Sequence, residues 1–294
     1  MERGPSVSTR SFAIIGISSW DSDPLRVDGE TIPTYAFPEN AARALAKIAA
    51  YSRWRGQSPG LFWGCDDVRV DAARHICRQA ITRQGEGWLT TEDAHAVLHA
   101  FGLPVAAGAV ARTAEEAAAL AAGFGFPVVA KLASRQVVHK SDIGAVRVNL
   151  TTAQEVQNAF RAIRASTPEP PSADASDGVL IQPMITAAVE TIVGLTVDPL
   201  FGPLVGFGLG GTQVEILGDM RFRIAPLTDQ DADELLRDGR ASRVLQGYRG
   251  RPAADVAALR DVVLRVSQLA EAIPEMVELQ PGHGARRRQR LPDC

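Results

Sequence analysis

The chain has 294 residues, 46% of them hydrophobic and 22% charged, which excludes intrinsic disorder over most of its length and sets a prior of about two domains. With 31 basic and 34 acidic residues the net charge is −3, which argues against a role on nucleic acid or an anionic membrane surface. No apolar run reaches the roughly 18 residues of a membrane span, and residues 1–10 lack the anatomy of a signal peptide. The three cysteines, Cys65, Cys77 and Cys294, form no CxxC pair; this excludes a disulfide framework or a Cys-rich zinc site and suits a reducing cytoplasm. One anomaly is local: residues 280–294 carry Arg286, Arg287, Arg288 and Arg290 and almost nothing apolar, so this end is expected to be an unstructured basic tail.

In chain order, residues 11–18 (SFAIIGIS) predict a strand, 19–30 a polar loop and 33–37 an extended segment. Pro38 suits the first turn of a helix over 41–55, whose Leu45, Ile48 and Tyr51 share one face. Glycines and a proline make 56–64 a loop, a second helix covers 70–83, and Gly85 with Gly87 sets a domain boundary. Thr90/Asp93, Thr113/Glu116, Thr152/Glu155 and Thr228/Asp231 each have the spacing of a helix N-cap and its third residue. Strands are expected at 105–110, 127–132, 146–150, 179–182, 191–197, 204–207, 214–217 and 221–224, and from 276; a long helix carries Val256, Leu259, Val263, Val266 and Ala270. Residues 167–177 (TPEPPSADASD) are a Pro- and Asp-rich connector. Strands interrupted by helices, with hairpin-like connections, predict an α+β fold rather than a doubly wound sheet.

Four segments can carry chemistry. Lys131 stands inside the apolar strand PVVAKL, where a buried, unpaired ammonium is costly; either an anion such as phosphate partners it, or its stem carries the charge from an edge strand to solvent. The following loop, VHKSDIGA, places His139, Lys140, Ser141, Asp142 and Gly144 together; its backbone N–H groups can cradle a phosphate, and His139 can attack phosphorus, or the loop is a polar hairpin. Gly206, Gly208 and Gly211 match GxGxxG, but the residues that follow read as strand rather than helix, which argues against a dinucleotide site and for a close backbone approach. Glu190, Glu215, Asp219 and Arg223 lie on the late strands, as ribose, Mg²⁺ or phosphate partners or as a solvated face. His95 and His99 have metal-ligand spacing on a helix but no evident third ligand.

Residues 127–149 (PVVAKLASRQVVHKSDIGAVRVN), 180–211 (LIQPMITAAVETIVGLTVDPLFGPLVGFGLGG) and 214–227 (VEILGDMRFRIAPL) together resemble the ATP-grasp domain of ADP-forming acyl-CoA synthetases, a domain also fused to bacterial protein acetyltransferases. Residues 32–55 resemble the end of the CoA-ligase region of the same family. The resemblance implies an ATP-grasp fold of two α+β subdomains (about 103–178 and 179–279, with a helical lead-in at 88–102) within 85–279, preceded by a CoA-ligase remnant over 1–84. It implies ATP or ADP with Mg²⁺ as cofactors. It also implies a CoA-ligase subunit or domain carrying a phosphohistidine as partner, and no nucleic acid or membrane.

The roles implied are residue by residue. Lys131 contacts nucleotide phosphates and His139 carries phosphoryl. Gln182, Pro183 and Met184 form a hinge beside adenine, with Glu190 near the ribose or phosphates. Gly208, Gly210, Gly211, Glu215 and Arg223 shape the phosphate side, and Asp219 is a weak metal candidate. Two departures stand out: Ala145 replaces a family glycine, and Gly282 stands where an Asp-x-Asn-Pro segment has its Mg²⁺-binding Asn, with no later strand expected. The chain is therefore expected to be the C-terminal part of a longer architecture with an aberrant end. The alternatives are a non-catalytic nucleotide-binding regulatory module and an inactive truncated product.

Overall fold

The computed structural model describes residues 14–15, 25–27, 29–32, 34–35, 37–134, 144–166, 178–185, 189–210, 220–247, 253–280 and 284–287. Contacts divide the chain into two compact units, Met1–Pro59 and Gly60–Cys294.

In the first unit, β1 (Ile14–Ile15) pairs in parallel with β4 (Thr34–Tyr35), and β2 (Leu25–Val27) forms an antiparallel hairpin with β3 (Glu30–Ile32). The hairpin corrects the polar loop expected over 19–30. The sequence between the paired strands is Asp28-Gly29, a strong short-range hairpin signal, and Gly29 stands at φ 83°. Helix α1 (Pro38–Gly56) begins on its proline as expected, and Ala41 is its buried residue.

The second unit begins earlier than the boundary expected at Gly85–Gly87. Helix α2 (Val70–Gln84) buries Ala73, Cys77 and Ala80 in the same core as α3 (Thr91–Ala100), so it belongs to this unit. Between them lies β5 (Gly87–Trp88). There follow β6 (Ala109–Ala111), α4 (Ala114–Phe124), β7 (Val128–Ala133), β8 (Val146–Leu150), α5 (Ala153–Ala165) and β9 (Gly178–Pro183). The second half holds β10 (Thr191–Asp198), β11 (Gly202–Leu209), β12 (Arg221–Ile224), α6 (Asp229–Arg237), α7 (Ala241–Leu245), α8 (Val256–Ala272), β13 (Met276–Gln280) and β14 (Gly284–Arg287). The strand expected at 214–217 and the connector at 167–177 lie outside the described residues.

Two antiparallel sheets result. The smaller runs β6-β9-β7-β8; the larger runs β12-β11-β10-β13-β14-β5. Helices α4 and α5 cover one face of the small sheet, where Val128, Ala130, Leu132, Val179 and Ile181 join Ala117, Ala121, Phe160 and Ile163 in one core. Helix α8 lies on β10 and β11, and Leu195, Val205, Phe207 and Leu279 share a second core with Val263, Val266 and Leu269.

The four Thr caps form as their spacing predicts. The side chains of Thr90, Thr113, Thr152 and Thr228 accept from the backbone N–H groups of Asp93, Glu116, Glu155 and Asp231. At α6 the box is reciprocal, with Asp231 accepting from the Thr228 N–H at 2.9 Å.

Strand β14 overturns the expectation of an unstructured end over 284–287. It pairs with β13 on one side (Leu279↔Ala285, Gln280↔Gly284) and with β5 on the other (Arg286↔Trp88). Ladder bonds are made by the backbone, so a segment poor in apolar side chains still fills a slot between two strands that each offer N–H and C=O groups.

Two ties bind the start of this unit to its far side. Leu61 donates its N–H to Asp229 Oδ1 at 2.7 Å, and the Asp229 N–H returns to the Leu61 carbonyl at 2.9 Å. Arg265, 13% exposed, reaches Asp261 at 2.7 Å, Asp67 at 3.0 Å and the Phe101 carbonyl at 3.0 Å. Thr228, 7% exposed, sits at the first of these ties. Thr228→Ala is expected to lower stability by about 1 kcal/mol, read by urea denaturation, with Thr228→Ser recovering most of the loss. Equal losses for both would show that the hydroxyl is not what matters.

Candidate functional site

Alternation along β7 decides where its lysine goes. Val128, Ala130 and Leu132 pack under the helices, so Val129, Lys131 and Ala133 take the opposite face. Register adds their neighbours: Lys131 lies opposite Leu180 of β9 and Val146 of β8, and Val129 lies opposite Gln182. On β6, Val110 stands opposite Leu180. Lys131 and Gln182 therefore share one face with Val110, Val129, Val146 and Leu180.

Lys131 is half-buried. Val129 and Ala133 on its own face are buried, and burial lowers the lysine pKa from its ordinary value. Among the described residues it has no hydrogen-bond or ion-pair partner. β7 is an interior strand, between β9 and β8, so escape to solvent from a sheet edge does not apply. Of the two readings open from sequence, the geometry favours a cation held for an anion.

Gln182 is 8% exposed, and its Nε2 donates to the Ala106 carbonyl at 3.4 Å. Gly108 makes room for it: a Cβ there would lie 2.7 Å from Gln182 Cγ and 3.1 Å from the Ile181 carbonyl oxygen. Pro183 ends β9, and Met184 continues the pairing by donating its N–H to the Pro127 carbonyl at 2.9 Å. The segment at 182–184 is thus held by backbone pairing to β7 and its lead-in on one side and by the Gln182 side chain on the other.

A second group gathers at one end of the β10–β11 ladder. Gly208 pairs with Ile192, and the Gly210 N–H donates to the Glu190 carbonyl at 2.7 Å. A Cβ at Gly210 would sit 3.1 Å from Glu190 backbone carbon, so the glycine permits that approach. The Glu190 side chain is exposed.

Arg223 does not join them. It lies opposite Val205, on the core side of the large sheet, where its guanidinium meets Asp238 at 2.8 Å and Glu234 at 3.8 Å on and just beyond α6. The alternation that sends Phe222 to the face of Gly206 sends Arg223 to the other. His139, Gly211, Glu215 and Asp219 lie outside the described residues.

The sequence reading gave little weight to His95. It is half-buried on α3, and burial foremost, then the like charges of His99 and Lys131, lower its pKa, with Glu92 opposing. Helix α3 thus brings an imidazole into electrostatic range of Lys131, a proximity no sequence spacing reveals. Among the described residues no group of three potential ligands joins His95 and His99 to hold a metal.

The ATP-grasp domain family matches residues 80–281, and the chain belongs to that family. It is 41% identical over 212 residues to the beta subunit of acetate–CoA ligase [ADP-forming] I of Pyrococcus furiosus, covering 72% of this chain and 90% of that subunit. It is 35% identical over 267 residues to acetate–CoA ligase [ADP-forming] I of Archaeoglobus fulgidus, covering 90% of this chain and 38% of that protein. A dinucleotide-forming acetyl-coenzyme A synthetase of Ca. Korarchaeum cryptofilum, solved with coenzyme A and Ca-AMPCP, superimposes with a TM-score of 0.66 at 35% identity, over 74% of this chain and 100% of that one. The same enzyme has been solved with Mg-AMPPCP, its phosphohistidine segment pointing towards the nucleotide site. The chain spans little more than a third of the length of the single-chain ligases it matches, 35% and 38%. No helix among the described residues is long and apolar enough to cross a membrane.

The depressed pKa of Lys131 has a defined effect on stability. Between that lowered value and the ordinary 10.5 the unfolded chain binds more protons than the folded one, so stability rises with pH across this window. Lys131→Met removes the slope. In urea unfolding the variant is expected to match or exceed the parent by about 1 kcal/mol near neutral pH, with the gap closing at about pH 10. A variant clearly less stable at neutral pH would mean that the ammonium is structurally paired.

Proposed function

We propose that the chain is the nucleotide-binding ATP-grasp portion of an ADP-forming acyl-CoA synthetase. The observation that carries this reading is Lys131, a desolvated cation on an interior strand, beside Gln182 and with no anionic partner among the described residues. A nucleotide phosphate supplies the missing negative charge, and the bonded 182–184 segment supplies an edge for the base. Glu190, Gly208 and Gly210 then lie on the phosphate side, where a flat backbone admits phosphate oxygens.

The overall reaction is acyl-CoA + ADP + phosphate ⇌ acid + CoA + ATP. In it, His139 accepts phosphoryl from a phosphohistidine of the CoA-ligase partner and hands it to ADP, or the reverse. The relatives named above as ligases and as a beta subunit support the partner and the reaction. What the chain's own residues contribute is positioning and charge neutralisation, the main requirements of phosphoryl transfer.

Mg²⁺ fits the donor set in one form. Glu190, Glu215 and Asp219 offer carboxylates, whereas Gly282 offers no side-chain oxygen. This suits a cation that arrives on nucleotide phosphates and takes one or two carboxylates, and does not suit an all-protein cage. When bound, the ion neutralises phosphate charge. The substitution at Gly282 also favours a second reading, a module that binds nucleotide without turnover.

Mg-ATP at about 100 times its dissociation constant is expected to stabilise the second unit by about 2.7 kcal/mol, a shift of about 5–10 °C in Tm. Lys131→Met is expected to abolish most of it. With γ-labelled ATP, acid-labile label on the chain that disappears in His139→Ala supports turnover; protection without label selects the second reading. No protection at all removes the basis of both.

A further inference from the structure

The second unit opens on an apolar run held out to solvent: Leu61 is 70% exposed, Phe62 71% and Trp63 59%. The backbone that carries these side chains is pinned. Both backbone groups of Leu61 bond to Asp229, Phe62 bridges to Thr228, and the Cys65 N–H donates to Gln268 Oε1 at 3.1 Å. Gly60, at φ 79°, permits the close approach, since a Cβ there would lie 2.7 Å from both Asp229 Oδ1 and Thr228 Oγ1. Ordering a segment of this kind costs conformational entropy, and aromatic side chains displayed on a fixed backbone mark binding surfaces.

A cavity of about 180 Å³ is lined by this segment, by Pro226 and Leu227, and by one side of α8. Phe62 and Trp63 are its aromatic residues. Leu227 and Leu264, both buried, are its fixed apolar part, and the Leu227 N–H ties it to α8 by donating to Ser267 Oγ at 2.7 Å. A cavity of about 150 Å³ accepts a benzene molecule, so this one has room for a single ring. Two polar side chains of the lining, Gln268 and Glu271, stand three residues apart on α8 and share a side of it. Gln268 accepts from Cys65 through Oε1, and its Nε2 has no partner among the described residues. The Glu271 carboxylate likewise has no hydrogen-bond or ion-pair partner among them. Asp229, Asp233 and Asp261 differ, each being paired with an arginine.

We propose that this cavity binds a small organic cation: an ammonium, amidinium or guanidinium group carried on an apolar body the size of one ring. Phe62 and Trp63 cover the ring and attract the charge through their faces, and Glu271 accepts from its N–H donors. The sign of the charge follows from the lining. An anion meets a carboxylate and no basic residue, and a neutral ring leaves that carboxylate unused. Asp66, on the same segment and also without a partner among the described residues, adds to the negative field. None of the lining residues belongs to the group around Lys131 and Gln182 or to the ladder end at Glu190 and Gly210. The site is therefore separate from the surfaces assigned to nucleotide and does not depend on that reading.

The test titrates the full chain, by isothermal calorimetry, with benzamidine, its neutral isostere benzamide and the anion benzoate. Saturable binding of benzamidine is expected, at least about tenfold tighter than that of benzamide, with none for benzoate. Glu271→Gln is expected to weaken benzamidine at least about fivefold and to leave benzamide unchanged, whereas Trp63→Leu weakens both. The two side chains are exposed, so the circular dichroism, urea midpoint and Mg-ATP protection of each variant are expected to match the parent. N-acetylarginine methylamide separates the sources of such a cation. Binding tighter than that of benzamidine assigns the site to an arginine of another protein and weaker binding to a free molecule, and both outcomes support the cation chemistry. Equal affinity for benzamidine and benzamide overturns the proposal. So does the absence of saturable benzamidine binding, or binding that neither variant alters.

Discussion

A positive charge fixed on the inside of a sheet constrains everything around it. Lys131 is half-buried on a central strand, where a change of register would expose Val128, Ala130 and Leu132. A desolvated ammonium destabilises the empty fold and becomes favourable only when an anion arrives. The fold tolerates this cost because the rest of the small sheet is well packed, with α4 and α5 closing its other face over Ala117, Ala121, Phe160 and Ile163. The same packing that closes the other face of the sheet keeps Lys131 on the face opposite the helices.

The treatment of arginine shows the contrast. Arg223 is held by Asp238 and Glu234, Arg260 by Asp233 and Asp229, and Arg265 by Asp261 and Asp67. They join β12 to α6, α8 to α6, and α8 to the segment before α2. The planar guanidinium, with its fork of donors, suits such bidentate structural duty. The lysine left among apolar neighbours is a compact point charge whose protonation responds to its surroundings, as His95 nearby also does. Structural cations in this unit are neutralised in place, and the desolvated one is the candidate for chemistry.

Local signals were legible wherever the physics is local. The four Thr caps, the proline at the start of α1, strand β8 and the buried strand with its lysine all followed from residue types at short spacing. What failed depended on partners far along the chain. Strand β14 exists because β13 and β5, nearly two hundred residues apart, leave a slot between them, and its own composition argues the other way. Helix α2 joined the second unit through contacts with α3, although two glycines after it looked like a boundary. The acidic partners of Arg223, Asp238 and Glu234, come from the packing of β12 against α6, which alternation along β12 does not specify. The Asp28-Gly29 hairpin is a different case: its signal was local and was missed beneath the polarity of the surrounding segment.

The two sheets of the second unit offer surfaces of different character. On the small sheet a half-buried cation, Lys131, and one amide side chain, Gln182, share a face with Val110, Val129, Val146 and Leu180. On the large sheet the ladder end at Glu190 and Gly210 is almost bare backbone. Apolar walls with one cation raise the strength of every charge interaction made inside them, and bare backbone allows oxygen-rich groups to approach N–H donors without side-chain interference. A ligand that is flat and apolar at one end and densely anionic at the other is what such a pair of surfaces is built to distinguish, and a nucleoside di- or triphosphate meets both demands.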